Sequence, residues 1–134
     1  MSTLPPHPNP SDDPRVQAVF DDISAARGGA PVNNFWRYLA FDPALLEETW
    51  NAVKEVMRPG SALDPLTKEM IYIAVSTANA CSYCVHSHTA AARAKGMTEA
   101  QHADLLRVIA TAARTNHLVT ALQVPVDPAF DAST

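Results

Sequence analysis

The sequence predicts an all-α protein, a bundle of five to six helices whose central helical hairpin carries a Cys-x-x-Cys motif. Three observations predict this class. Three apolar stretches each follow an Asp-Pro pair, in which aspartate can cap a helix and proline fits the first helical turn. Apolar residues within those stretches recur three and four positions apart, which is the period of a helix. A capping box, Thr98 to Gln101, precedes the last long stretch.

The chain divides into three predicted parts. A proline-rich N-terminal arm covers residues 1–13, a helical domain covers residues 14–124, and a C-terminal tail covers residues 125–134. Five of the eleven prolines fall within the first 14 residues, so the arm should run extended rather than helical. A length of 134 residues is enough for one domain with a buried core.

Composition argues against several classes of partner. A net charge of −4 gives no electrostatic reason to expect a nucleic acid or an anionic membrane. No apolar run approaches the roughly 20 residues that cross a bilayer, and the N-terminal stretch has neither the charged nor the apolar region of a secretory signal. We therefore expect a cytoplasmic protein, in which a lone Cys-x-x-Cys is typical of catalysis or metal binding rather than of a structural disulfide.

Two helices should precede the hairpin. Asp13-Pro14 opens the first, which ends at Gly28-Gly29. Asp42-Pro43 opens the second, which ends at Arg58–Gly60. Periodicity does not decide whether five further apolar residues line a subunit interface, a pocket mouth or the core: Phe35, Trp36, Tyr38, Leu39 and Trp50.

The central hairpin should begin at Asp64-Pro65. The helix that follows is apolar on most of its surface, which predicts a buried central helix. A β-strand through residues 70–75 is the alternative, since Ile, Tyr and Val favour strands, but the Asp-Pro cap and the lack of a partner strand favour a helix. We expect a break over Ser76–Ala80 and then a second, alanine-rich helix that starts at about Cys81 and ends at Gly96.

Both cysteines of the chain lie at the predicted start of this second helix, Cys81 at or near its N-cap and Cys84 in its first turn. Backbone N–H groups and the helix dipole favour negative charge there, and thiolate is the reactive form of cysteine. This argument alone makes Cys81 the better stabilised thiolate. A separation of three residues places the two thiols side by side on a helix, so they can close a disulfide with little motion. Tyr83, between them, can pack or donate a supporting hydrogen bond.

A histidine and a glutamate are the candidate proton carriers. His88 lies four residues after Cys84 and shares its helix face, whereas His86 should point away, to the surface or to a subunit contact. If Asn79-Ala80 is a tight turn, Glu69 and His88 lie at similar heights on the two arms of the hairpin, at about 1.5 Å per residue. Glu69 also shares a face with apolar residues, so it needs a partner. A carboxylate, an imidazole and two thiols in a row form a proton relay that can deprotonate a thiol.

The spacing of these residues is similar to that of a known family. Glu69, eleven intervening residues and then Cys81-x-x-Cys84-x-x-x-His88 resembles the AhpD-like alkylhydroperoxidase branch of the carboxymuconolactone decarboxylase family. The likeness covers most of the chain, and residues 63–101 resemble the core of that family.

The resemblance implies an all-helical homo-oligomer, a trimer or a hexamer of paired subunits, in which a dithiol reduces a hydroperoxide. It implies no cofactor and no metal, only an external reductant: a lipoyl protein, a thioredoxin-like protein or a small thiol. Glu69 and His88 would form the relay, and Cys84 would attack the peroxide oxygen and become a sulfenic acid. Cys81 would then condense with it to give the disulfide. Decarboxylases of the family lack the cysteine pair, which argues against lactone decarboxylation here.

Two other functions remain open from the residues alone. A redox sensor or helper protein would oxidise its thiols without useful turnover, because a motif indicates reactivity but no substrate. A metal-binding module would hold zinc with Cys81, Cys84 and His88, and with Glu69 or water as the fourth ligand. These ligands lie close together in the sequence, whereas structural zinc sites usually draw a second pair from farther along the chain.

Overall fold

The computed structural model describes residues 1–130 and is all-helical over that range, as the sequence predicts. Its six α-helices are α1 (Pro14–Ala26), α2 (Asn34–Leu39), α3 (Pro43–Met57), α4 (Pro65–Ala78), α5 (Ser82–Ala94) and α6 (Glu99–Leu122). Two short 3₁₀ turns are Pro10–Asp12 and Pro128–Phe130. The strand alternative for residues 70–75 is excluded, because these residues lie within α4. The chain forms two compact units, residues 1–58 and the part from residue 59 onward.

Side-chain caps begin the longer helices at the predicted positions. Asp13, Asp42 and Asp64 are the N-cap residues of α1, α3 and α4, and each carboxylate accepts hydrogen bonds from backbone N–H groups of the first turn. Thr98 and Gln101 form the complete capping box of α6. Such caps contribute about 1 kcal/mol each, so they help to determine where each helix begins.

The first unit packs α1, α2 and α3 around one apolar core. Its buried residues are Val16, Val19, Phe20, Ile23, Trp36, Ala40, Leu46 and Trp50. Trp36 and Trp50 meet edge to face with ring centroids 5.4 Å apart, and the Trp50 indole N–H donates to the Asp22 carboxylate at 2.7 Å. Both tryptophans are therefore core residues, whereas Phe35 is 45% exposed.

The N-terminal arm is not extended throughout. Pro10–Asp12 forms a 3₁₀ turn with proline in its first position, where the fixed φ of proline and its missing N–H are tolerated. The backbone N–H of His7 donates to the Arg37 carbonyl at 3.2 Å. The prediction of an extended arm is corrected to this extent. The predicted division into an arm over residues 1–13, a helical domain over residues 14–124 and a tail over residues 125–134 stays a prediction, and residues 131–134 of that tail lie outside the described range.

The second unit is built on the hairpin of α4 and α5. The helix α4 extends farther than predicted, so only Asn79 and Ala80 separate it from Cys81. Ala80 adopts a left-handed φ of 54°. The backbone N–H groups of Ala80 and Cys81 donate to the carbonyls of Thr77 and Ser76, at 3.1 and 2.9 Å. This Schellman arrangement satisfies carbonyls at the end of α4 and lets Cys81 begin α5 at once.

The core of the second unit lies against one face of α4. Buried Ile73, Ala92 and Met97 pack with the partly buried Leu66, Met70, Leu105 and Ile109. Helix α4, predicted to be the buried central helix, has four buried residues, Lys68, Glu69, Ile73 and Ser76, but its apolar Ile71 and Val75 are 48% and 52% exposed. Helix α6 has no buried residue, and its exposed apolar side chains include Leu106, Val108, Leu118 and Leu122. The sequence pattern marks apolar faces correctly, but one chain does not cover all of them.

Candidate active site

The two cysteines lie at the N-terminus of α5. Cys81 is the N-cap residue, and its sulfur accepts a hydrogen bond from the Cys84 backbone N–H at 3.3 Å. The cysteines are joined as a disulfide, with Cα atoms 5.4 Å apart, and both are partly exposed. The pair is thus in its oxidised form, at a position where N–H groups and the helix dipole favour a thiolate after reduction.

Two side chains near the disulfide on α5, those of Tyr83 and His86, are exposed. Tyr83 has 44% of its surface exposed, so it is not a core residue. His86 is also exposed, in agreement with the surface position predicted for it. Both residues therefore lie at the surface of the chain, whereas Glu69 is buried.

Glu69 is a buried carboxylate on α4. The residue is 4% exposed, and both of its oxygens are hydrogen bonded to α5. Oε2 lies 2.6 Å from His88 Nδ1, and Oε1 accepts from the Lys95 ammonium at 2.8 Å. Burial raises the pKa of Glu69, but hydrogen bonds from His88 and Lys95, together with the charge of Lys95, outweigh burial and leave that pKa below its ordinary value. Glu69 is therefore ionised at neutral pH.

The contact with Glu69 determines which nitrogen of His88 can accept a proton. An ionised carboxylate only accepts hydrogen bonds, so Nδ1 carries the proton in this pair. The second ring nitrogen, Nε2, is then the base of the neutral imidazole. The His88 side chain is 21% exposed and follows Cys84 by one turn of α5. A thiol, a base and a carboxylate that orients the base are the parts of an activated nucleophile.

The ring of Tyr72 stacks on the ring of His88. The ring centroids are 3.8 Å apart and the planes differ by 16°. Tyr72 follows Glu69 by three residues on α4, so both groups that hold the imidazole come from one side of that helix. The stack restricts rotation of the ring while the hydrogen bond from Nδ1 fixes its edge.

The structure brings the predicted Glu69 and His88 into direct contact and joins the two predicted cysteines to each other. It adds Lys95 and Tyr72, which were not predicted from the sequence. Lys95 lies seven residues after His88, the same two-turn spacing that separates His88 from Cys81, and Tyr72 lies one turn after Glu69. These spacings place both residues on the helix faces that carry the site, but they do not determine whether the side chains make contact.

Among residues 1–130, no three side chains of the types His, Cys, Asp and Glu are grouped so that they could hold a metal ion. The zinc alternative, with Cys81, Cys84 and His88 as ligands, gains no support from this geometry. In the same part of the chain, every helix is too short or too polar to span a lipid bilayer.

Comparison with known proteins gives a consistent family. Residues 43–127 match the carboxymuconolactone decarboxylase family. The structure is similar to the crystal structure of the alkylhydroperoxidase AhpD core from Rhodospirillum rubrum ATCC 11170, with a TM-score of 0.94 and 64% identity, and the match covers 97% of each chain. The sequence is also 31% identical over 67 residues to "Uncharacterized protein 4 in cox locus" of Paracoccus denitrificans. That match spans 50% of this chain and 60% of the relative.

The range that matches the family includes α3 and the whole hairpin, with its Cys-x-x-Cys motif and the Glu69–His88 pair. The similarity to the AhpD core extends this agreement to the all-helical fold of nearly the entire chain. The chain therefore belongs to the carboxymuconolactone decarboxylase family, in its AhpD-like branch.

Proposed function

We propose that the chain is a thiol-dependent peroxidase that reduces organic hydroperoxides with the Cys81–Cys84 pair and uses Glu69 and His88 as a proton relay. The observation that carries this proposal is the contact of 2.6 Å between Glu69 Oε2 and His88 Nδ1, which orients a base one turn from Cys84. The family match and the similarity to an alkylhydroperoxidase core support the same class of chemistry.

The proposed cycle has three steps. His88 Nε2 takes the proton of the Cys84 thiol, and the thiolate attacks the outer peroxide oxygen. The O–O bond breaks, the alcohol leaves with the proton returned by His88, and Cys84 becomes a sulfenic acid. The Cys81 thiol condenses with this sulfenic acid to give the disulfide and water. A dithiol donor then reduces the disulfide by thiol–disulfide exchange and is itself oxidised.

Cys84 is assigned the attacking role because His88 follows it by one turn of α5, and Cys81 is assigned the resolving role. The exchanged assignment follows from the position of Cys81 at the N-cap. Single serine variants separate the two assignments. In Cys81→Ser, peroxide should leave a sulfenic acid on Cys84 that dimedone traps, and Cys84→Ser should leave Cys81 unmodified. The opposite labelling pattern would exchange the roles.

A steady-state assay tests the proposed function as a whole. Purified protein is mixed with cumene hydroperoxide and a dithiol donor such as dihydrolipoamide, and the loss of hydroperoxide is followed. We expect many turnovers per chain and none in Cys84→Ser. Oxidation of each chain once, without turnover, would instead support the redox sensor. Stoichiometric zinc that is removed only with loss of the fold would support the metal-binding module.

We also propose that the chain works as a homo-oligomer, a trimer or a hexamer, in the cytoplasm. Ile71 and Val75 on α4, and Leu106 and Leu118 on α6, are about half exposed, and apolar surfaces of this kind are typical of interfaces. A reducing compartment suits a dithiol that must be reduced again after each cycle. Light scattering during size-exclusion chromatography should give the mass of a trimer or a hexamer, and a monomer at all concentrations would contradict the assembly.

A further inference from the structure

Lys95 is the second partner of the Glu69 carboxylate. Its ammonium donates to Oε1 at 2.8 Å, while Oε2 lies 2.6 Å from His88 Nδ1. Each carboxylate oxygen therefore has one partner on α5 or its C-cap, and the two partners are seven residues apart. Because the two oxygens of a carboxylate lie in one rigid plane, the bond to Oε1 also fixes the direction in which Oε2 faces.

The charge of Lys95 acts on Glu69 in addition to its position. The Glu69 side chain is 5% exposed, and a buried carboxylate is costly to ionise unless it is paired. Lysine is an ammonium ion at neutral pH, whereas a relay histidine changes its charge during the reaction. Lys95 thus favours the ionised form of Glu69 while His88 is neutral. When Glu69 is ionised and His88 is neutral, Nδ1 of His88 carries the proton and Nε2 is the base.

We propose that Lys95 is a positioning residue of the site, which holds the Glu69 carboxylate in the orientation that prepares His88 to take a proton from the thiol. The effect of Lys95 on catalysis rests on the proposed peroxidase function. Its effect on the Glu69 carboxylate does not depend on any substrate. Lys95 acts only through Glu69 and not on the sulfur atoms.

Other titratable groups lie on the elements that pack here, but both hydrogen bonds to Glu69 come from His88 and Lys95. Lys68, the preceding residue on α4, donates to the Ser61 hydroxyl. The remaining groups are Tyr72 on α4, Tyr83, His86 and Arg93 on α5, and Glu99, His102, Asp104 and Arg107 on the first turns of α6, which packs against α4. Removing Lys95 therefore takes away the partner of Oε1 and leaves His88 as the partner of Oε2.

Three variants distinguish the effect of the Lys95 charge from the effect of its side-chain stem and from the effect of removing any positive charge at the end of α5. Lys95→Met removes the ammonium group and keeps most of the stem, and Lys95→Arg keeps a cation and a donor. Arg93→Met is the matched control, since Arg93 is exposed in the last turn of α5. Its replacement removes the same charge from the same helix end and leaves both hydrogen bonds of Glu69 intact.

The first measurement is a carbon-13 NMR titration of the Glu69 carboxyl group in the oxidised protein, which requires no peroxidase activity. Loss of the Lys95 hydrogen bond and charge should move the pKa of Glu69 upward in Lys95→Met and leave it at the parent position in Arg93→Met. An unchanged pKa of Glu69 in Lys95→Met would overturn the proposal, whether or not the protein reduces peroxides.

The second measurement is the pH profile of thiol oxidation by cumene hydroperoxide in a single turnover. At mildly acidic pH, Lys95→Met should react roughly tenfold more slowly than the parent, which is the effect expected for one hydrogen bond to a charged group. The deficit should shrink as the pH rises and Glu69 ionises, and Lys95→Arg should recover most of the parent rate. A rate equal to that of the parent at every pH would overturn the proposal, and so would a loss of rate that arginine does not restore, because that loss would assign Lys95 a packing role. A parent protein that does not react with peroxide refutes the proposed function, and the NMR titration then still tests the control of Glu69.

Discussion

Glu69→Gln is the sharpest perturbation of the site. Glutamine has nearly the same size, but it offers one acceptor oxygen and one donor amide in place of two acceptors. In the parent, both oxygens have donors, His88 at 2.6 Å and Lys95 at 2.8 Å. Whichever way the amide turns, one of these donors faces an N–H group. Where that donor is His88, the imidazole must change its tautomer or swing away, and Nε2 is no longer the base.

The magnitude follows from the kind of contact that is lost. A hydrogen bond to a charged group contributes about 1.5–3 kcal/mol, and about 1.4 kcal/mol corresponds to a tenfold change in rate. The side chains of Lys95 and His88 are 39% and 21% exposed, so water replaces part of what is lost and the lower half of that range applies. We expect peroxide reduction to slow roughly tenfold to thirtyfold in Glu69→Gln.

The assay is oxidation of the reduced dithiol by cumene hydroperoxide in a single turnover, from mildly acidic to mildly alkaline pH. Glu48→Gln is the control, since Glu48 is exposed on α3 and its replacement changes the net charge equally. Far-UV circular dichroism checks that both variants are folded. A Glu69→Gln rate equal to that of the parent at every pH would refute the relay.

The same variant tests the ionisation of Glu69 through protein stability. The pKa of Glu69 is lower in the folded protein than its ordinary value, so ionisation of this group favours folding. This stabilisation is complete above the pKa of glutamate in the unfolded chain, and it is lost as the pH falls through the lowered pKa of the folded state. On acidification, the free energy of unfolding of the parent should therefore fall more steeply than that of Glu69→Gln. If urea unfolding shows that the free energy of unfolding falls equally with pH in both proteins, the pairing of Glu69 with His88 and Lys95 is contradicted.

Further variants test single contacts. Tyr72→Leu should slow peroxide reduction roughly threefold because it loses the stack on His88, and Tyr72→Phe should keep the parent rate; equal rates in all three proteins would exclude a role for the stack. Ala80→Gly should raise the free energy of unfolding in urea by about 1 kcal/mol, since alanine is strained at a φ of 54°. The exposed helical Ala112→Gly should lower it by about the same amount, and a loss in both would contradict this explanation. His86→Asn should leave the peroxide rate unchanged because His86 is exposed, and a large loss would place His86 in the site.

The helix starts and the main contact of the site could be predicted from the sequence because both depend on local rules. Asp13, Asp42 and Asp64 cap their helices through hydrogen bonds to the first turn, which the Asp-Pro pairs indicate. The contact between Glu69 and His88 follows from counting residues on each side of a two-residue turn, because helical rise is constant.

The contacts that were missed depend on features that spacing does not determine. Lys95 is the C-cap residue of α5, and its rotamer decides whether its long side chain reaches Glu69. The break between the helices is shorter than predicted because Ala80 takes a left-handed conformation that glycine usually supplies. The apolar pattern of α4 shows which residues avoid water but not what covers them, so the exposure of Ile71 and Val75 could not be predicted.

The most direct test of the central claim, that Cys81 and Cys84 form a pair that reduces hydroperoxides, is the mass of the intact protein. The reduced protein is measured in its native state, treated with one equivalent of cumene hydroperoxide, measured again and then digested to locate any new bond. We expect the loss of two hydrogen atoms, a disulfide between Cys81 and Cys84, and full reversal by a dithiol donor. Thiols that remain reduced in the presence of peroxide, or a native mass that includes a tightly bound metal, would contradict the claim.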